Sequence, residues 1–275
     1  MKGGRGSLLS VLPYALIAGA LLVIPALGVL QLSFQDPATA GFTLANYARI
    51  LDSYYLSIIL RTVKLALLAT MVELAIAFPL AYVLARAAPG PKRILTLCVM
   101  IPLMTSVVVK SLGWYILMTD DGLLSLVAQS LGVHDASLSG STFAVVVALV
   151  EFGLPFMVLS LATAIEKIPR NLEEAALNLH ASPVFVFWHV VLPLSRSGIL
   201  SGFLLCFGVS ASAYVIPAML GGTKVKMAAQ VVYEDVLVAF NWPGAAAVSM
   251  VLLIALSLIL YISLLAGRTK NEARS

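Results

Sequence analysis

Six apolar runs, each about 20 residues or longer, decide what this chain can fold into. Their approximate limits are residues 8–32, 58–85, 94–117, 143–165, 197–220 and 245–266. Each is long enough as a helix to cross a hydrocarbon core of about 30 Å. The chain of 275 residues is 61% hydrophobic and 11% charged, whereas soluble domains are about half apolar and a quarter charged. The runs are therefore spans, not the core of a soluble fold. The expected fold class is an all-α integral membrane protein with six transmembrane helices in a single domain, 1–275. Pro13, Pro25, Pro79, Pro102, Pro155 and Pro217 lie in or near the spans, where neighbouring helices can satisfy the backbone groups that proline frees.

The net charge of +4 is read as loop topology before nucleic-acid binding. Cys98 and Cys206 both lie in apolar runs with no paired spacing, so neither a disulfide nor a metal site is expected. Lys2 and Arg5 precede the first run, which is longer than a signal-peptide core and is read as an uncleaved span.

Lysine and arginine in short loops set the orientation. One side holds Lys2, Arg5, Arg86, Lys92, Arg93, Lys167, Arg170, Arg196, Arg268, Lys270 and Arg274. The other holds Arg49, Lys224 and Lys226, with Arg61 and Lys64 near a span entrance. The richer side is expected in the cytoplasm, with both termini. The opposite loops, 33–57, 118–142 and 221–244, carry acids such as Asp36, Asp135 and Asp235 and aromatics such as Tyr47 and Trp242.

A polar island, 166–196, interrupts the apolar pattern on the cytoplasmic side. Leu172, Ala175, Ala176 and Leu179 fall at i, i+3, i+4 and i+7, one face of a helix. Pro169 and Asn171 are start signals for it. Ser182-Pro183 reads as an N-cap and first-turn proline opening a second helix, which Pro193 is expected to stop. A helix–turn–helix just outside the bilayer is the shape of a docking element. Surface-lying lipid helices carry basic polar faces, whereas this one sets Glu173, Glu174 and Asn178 opposite alanines, which favours protein contact.

Catalytic motifs are missing. The sequence has no G-x-x-x-x-G-K-[ST] phosphate loop, no H-E-x-x-H and no G-x-S-x-G, and His134, His180 and His189 are scattered over loops. The chain is read as not an enzyme, with no cofactor. Charges inside the spans are present: Glu73 and Glu151 in the second and fourth, Lys110 in the third, Lys64 near the start of the second. A charge at mid-bilayer costs about 2.5–3.5 kcal/mol, so such groups face a bundle interior or a wet cavity. One reading is the lining of a translocation path, with Glu151 favouring a cationic or amine-bearing solute. The other is structural, Glu73 or Glu151 paired with Lys110, or a protonated glutamic acid hydrogen-bonded to a neighbour. The fifth run is rich in small residues, among them Gly198, Gly202, Ser210 and Ala211. They serve either close helix packing or a helix kept slim beside a path, where Tyr214 and Pro217 would shape a gate.

The island also resembles a known family. Glu174-Ala175-Ala176, then Ala181, Phe187, Val190 and Leu192-Pro193, resemble the EAA loop of ABC importer permeases. The family glycine is His180 here, at a turn where a left-handed residue is expected, and a non-glycine residue there costs roughly 1–2 kcal/mol. Leu154-Pro155-Phe156-Met157, 193–199, Leu220-Gly221-Gly222, 241–246 and the first outer loop, 42–47, look like the B-type permease of the spermidine/putrescine subgroup. Relatives often have a phenylalanine after Asn-Trp-Pro, absent here. The resemblance implies a type I importer permease fold (MetI-like) in a bacterial inner membrane. Partners would be a cytoplasmic ATP-binding subunit dimer, a second permease as heterodimer, and an extracytoplasmic solute-binding protein. Glu174, Ala175, Ala176, His180 and Ala181 would be the ATPase-coupling contacts. Glu73, Glu151, Ser210 and Tyr214 are the substrate-path candidates, for a small polar, amine-containing solute such as a polyamine. An ion-gradient-driven secondary transporter and a membrane-embedded enzyme built on Glu73 and Glu151 remain the alternatives.

Overall fold

The computed structural model describes residues 4–39, 41–130 and 138–272. Lys2, His134, Asp135 and Arg274, used above for topology and chemistry, lie outside the described residues. In chain order the helices are α1 (Gly4–Ser33), α2 (Ala45–Ile50), α3 (Ser53–Arg86), α4 (Pro89–Met104), α5 (Val107–Met118), α6 (Leu123–Ser130) and α7 (Thr142–Glu166). They continue with α8 (Arg170–Asn178), α9 (Pro183–Val186), α10 (Leu192–Leu194), α11 (Arg196–Ala211), α12 (Val215–Leu220), α13 (Ala228–Leu237) and α14 (Trp242–Glu272). A π-turn, Phe187–Val191, joins α9 to α10. Among the described residues the fold is all-α apart from one isolated bridge, Gln35 with Phe42.

Each expected span falls on one helix or is divided between two. α3, α7 and the stretch Trp242–Ser263 of α14 are long and apolar enough to cross a bilayer unbroken. Counting each of two bent pairs as one span raises this to five, and α1 adds a shorter apolar stretch, Gly19–Ser33. The third run is not one straight helix: the chain turns by 90° between α4 and α5. Thr105 and Ser106 both take extended ψ there, 135° and 134°. The fifth run divides into α11 and α12 at Ser212–Tyr214. Pro217 has no N–H to donate to the Ala213 carbonyl, so an unbroken helix through this point would lack a bond.

The chain forms two compact units. One comprises Met1–Ser57 and Val231–Ile254. Here Asn46 in α2 donates to the Ser33 and Gln35 carbonyls at 3.0 and 2.8 Å, fixing the turn after α1. Arg49 pairs with Asp235 at 3.0 Å and also reaches the Tyr55 hydroxyl. Asn241 caps α14 by accepting from the Gly244 N–H at 3.0 Å. A Cβ on Gly244 would lie 2.3 Å from Asn241 Nδ2 and 2.8 Å from Arg49 Nη1. The close approach explains a glycine two residues after Trp242.

The other unit comprises Ile58–Gln230 and Ala255–Ser275. Its core centres on α7. Toward one end, Ala77, Phe78 and Ala81 of α3 meet Met157, Leu161 and Ile165 of α7, closed by Val191 and Cys206. Toward the other, Leu65 and Ala69 meet Val145 and Leu149, with Ile216, Leu220 and Met227. Two of the small residues of the fifth run lie at close helix contacts: a Cβ on Gly198 would lie 2.4 Å from the Ala164 Cβ, and one on Gly202 would lie 2.7 Å from the Met157 sulfur. Ser160 hydrogen-bonds across the same contact to the Gly198 carbonyl and to Ser201.

Candidate functional site

The polar island folds as a helix–turn–helix. Its first helix, α8, starts directly after Pro169 and is followed by a Schellman turn. The Ala181 N–H donates to the Ala176 carbonyl at 3.2 Å, and the His180 N–H to the Leu177 carbonyl at 2.9 Å. These are the 6→1 and 5→2 bonds of that motif, whose penultimate residue is left-handed. That residue is His180, with φ 64°, as expected for the position of the family glycine. Ser182 then caps α9, accepting from the Phe185 N–H at 3.2 Å, and Pro183 occupies the first helical position.

Pro193 does not stop the second helix, contrary to expectation. The π-turn ahead of it widens the ladder, with the Leu192 N–H donating to the Phe187 carbonyl. The Ser195 N–H then reaches the Val191 carbonyl at 2.9 Å, and no bond is demanded of the proline. The chain bends by 68° only after Leu194.

The helical face read from the sequence is uncovered. Leu172 is 44% and Leu179 83% exposed, Ala175 is exposed and Ala176 half-buried. Beside them lie exposed Glu174 and His180, half-buried Ala181, and exposed Val184, Phe185 and Trp188. One polar residue departs from the expected pattern. Glu173, placed by periodicity on the solvent face with Glu174, is buried. Its carboxylate binds the Arg86 guanidinium and accepts from the Tyr82 hydroxyl at 2.8 Å. Nothing local in the sequence marks this pair, because the partners are 87 and 91 residues away.

The charges inside the spans separate into two sites. Lys110 Nζ lies 3.0 Å from Glu151 Oε1 and 5.1 Å from the centroid of the Phe152 ring, a cation–π contact. The crevice around them, lined by Val107, Ser111, Trp114 and Ile216 among others, has no room for a water molecule. Glu73, fully buried, instead faces Gly153, where a Cβ would lie 2.3–2.6 Å from its carboxyl atoms. Neither of its oxygens has a partner in hydrogen-bonding geometry. The Cys206 thiol faces it and donates to the Gly153 carbonyl at 3.5 Å. Residues 151 and 153 are about 200° apart around a helix, so the two carboxylates do not converge. The pair that an embedded enzyme would need is not formed, and of the two glutamates Lys110 pairs with Glu151. Ser210 is buried with its hydroxyl unpartnered, and Tyr214 is half-buried just before α12. Outside the spans, burial raises the Asp235 carboxyl above the usual range, while Arg49 beside it acts in the opposite direction.

Residues 38–271 match the family described as "Binding-protein-dependent transport system inner membrane component". The chain is 31% identical over 256 residues to the spermidine/putrescine transport system permease protein PotB of Escherichia coli K12, covering 90% of this chain and 93% of that one. Among solved structures it is similar to a bacterial ABC transporter involved in the import of the acidic polysaccharide alginate. There the TM-score is 0.73 at 16% identity, covering 96% of both chains. It is also similar to the MetNI methionine ABC transporter, at TM-score 0.57 and 19% identity over 80% of this chain and 95% of that one. The all-α, MetI-like fold is thereby shown.

Proposed function

Because this chain belongs to the family of binding-protein-dependent transport system inner membrane components, a multi-pass permease of an ABC importer, we propose that it forms half of a translocation path for a polyamine or another small amine-containing solute, powered through α8. The observation that carries this reading is the open face of α8. An apolar stripe containing Leu172 and Leu179, ordered by a Schellman turn on one side and a capped helix on the other, awaits a partner. The chain has no phosphate loop of its own, so energy from ATP must arrive by contact. Ala175, Ala176 and Ala181 allow close approach of an ATP-binding subunit, Glu174 offers a charged contact, and His180 shapes the turn. The partners are two such ATP-binding subunits, a second and similar permease, and a binding protein outside. The basic loops support a cytoplasmic side for α8 and both termini.

The cargo reading is supported by the likeness to PotB and by Glu151. With Lys110 already seated on that carboxylate, an amine entering the path would exchange with a tethered one. Glu73, Ser210 and Tyr214 are the remaining path candidates. A transporter involved in the import of an acidic polysaccharide has a similar fold, so the cargo reading rests on PotB and Glu151 and not on the fold.

The reading is tested by cysteine crosslinking from Ala176 or Ala181 to the ATP-binding subunit of the same transporter. A crosslink whose yield changes with nucleotide is expected. No crosslink in any nucleotide state would overturn the coupling assignment.

A further inference from the structure

α8 is nine residues long and buries a single residue, Glu173. A helix this short is not stable alone, so whatever displaces its open face must act through the contacts that hold it. Those contacts converge on the end of α3. Arg86, the last residue of α3, binds one oxygen of Glu173 and donates to the Ile168 carbonyl at 3.1 Å. Tyr82 stands four residues earlier on the same face of α3 and donates to the other oxygen at 2.8 Å. In return Arg170, the first residue of α8, donates to the Arg86 carbonyl at 3.1 Å. Phe187 packs edge-on against Phe78 and Tyr82, with ring centroids 5.0 and 6.1 Å apart, extending the joint to the second loop helix.

Charge-assisted bonds at a site this dry are short and resist separation. The side chains of Arg86 and Glu173 are only 14% and 10% exposed. α3 then continues unbroken from Arg86 to Glu73, about 20 Å away at 1.5 Å per residue.

We infer that Glu173, Arg86 and Tyr82 form a clasp that transmits displacement of α8 to α3, making them positioning residues for coupling although none lies on the docking face. The inference rests on the coupling role proposed for α8. It assigns Glu173 and Glu174 opposite duties: Glu174 meets the partner, and Glu173 holds α8 to the span that must move.

The test uses the complete transporter in liposomes, in a Cys98→Ser background that removes the exposed native thiol. Ala176→Cys reports docking by crosslinking to the ATP-binding subunit. In a separate variant, Leu56→Cys, an exposed position on α3 ahead of the apolar run, reports movement of that helix by its rate of maleimide labelling with and without ATP. In the unmodified clasp, ATP should change the Leu56→Cys labelling rate by about tenfold, the scale of one charge-assisted interaction. Glu173→Gln keeps the shape but not the charge, and should hold the crosslink while reducing the ATP response to about twofold or less. Tyr82→Phe, which leaves the ion pair in place, should give an intermediate response.

Full ATP response in Glu173→Gln, or no ATP response at Leu56→Cys with the clasp intact, would overturn the transmission role while leaving the docking assignment standing. Should Glu173→Gln lose the crosslink, Tyr82→Phe decides: an unchanged ATP response with the crosslink retained would overturn the clasp. Absence of the Ala176→Cys crosslink with the clasp intact would instead remove the coupling reading itself, and the inference with it.

Discussion

Lys110–Glu151 and Arg86–Glu173 both join two elements of the same unit, yet they are built differently. The first is one contact at 3.0 Å, with the Glu151 side chain still 28% exposed. In the second both carboxylate oxygens are engaged, by Arg86 and Tyr82, and Arg86 also holds the Ile168 carbonyl. A buried pair is weak proof of net stability, because desolvation offsets much of the Coulomb gain. What distinguishes the two is how much breaks when one partner is removed. Opening Lys110–Glu151 breaks one hydrogen bond and can leave Lys110 over the Phe152 ring, which suits an exchangeable site in a path. Arg86–Glu173 cannot open without stranding several polar groups, which suits a joint.

The comparison breaks most visibly if Arg86 is replaced. Arg86→Met leaves Glu173 buried and uncompensated, a loss of about 3–5 kcal/mol, read as a lower unfolding midpoint of the purified transporter. Lys110→Met should cost less than half as much, since the Glu151 side chain is 28% exposed against 10% for Glu173; equal losses would erase the distinction.

A second variant probes the other buried carboxylate. Gly153→Ala forces a Cβ into the space of the Glu73 carboxyl and should destabilise by about 1–3 kcal/mol. Combining it with Glu73→Ala should recover most of that loss in the same melt, and failure to recover would mean the collision is not what matters.

Glu151→Gln should lower putrescine uptake by about tenfold with assembly intact, because the exchanged amine loses its counter-charge. Unchanged uptake kinetics would leave Lys110–Glu151 as a purely structural pair.

The smallest effect is expected at His180. Glycine there removes left-handed strain of about 1 kcal/mol but adds freedom to the unfolded chain. His180→Gly should therefore stabilise slightly or not at all, with coupling retained. Loss of transport in an assembled His180→Gly complex would show a role for the imidazole itself.

Legibility followed range along the chain. Ser182, Pro183 and the left-handed turn at His180 were readable because capping and turn chemistry act within a few residues. The open face of α8 was readable because periodicity alone defines it. The burial of Glu173 was not, since periodicity placed it on the polar face and its partners lie far off in the sequence. Proline gave mixed signals. Pro217 marks a real break because the chain leaves the helix at Ala213, whereas Pro193 is absorbed by the π-turn, a rearrangement that no residue in 187–191 advertises. The 90° turn at Thr105-Ser106 sits inside an apolar run, where hydropathy reports burial in lipid but not direction. Glu73 and Glu151 stood out as charges among apolar residues, but which of them Lys110 would choose depends on helix packing.

The central claim, that the open face of α8 is a protein contact, is tested most directly by thiol accessibility. Leu172→Cys, Ala175→Cys and Leu179→Cys should label readily in the liposome-embedded permease alone. Adding the ATP-binding subunit should slow all three by about tenfold or more, as burial in a protein interface excludes the reagent. Labelling that is already blocked in the permease alone, or that the ATP-binding subunit leaves unchanged, would contradict the account and point instead to a helix lying against lipid.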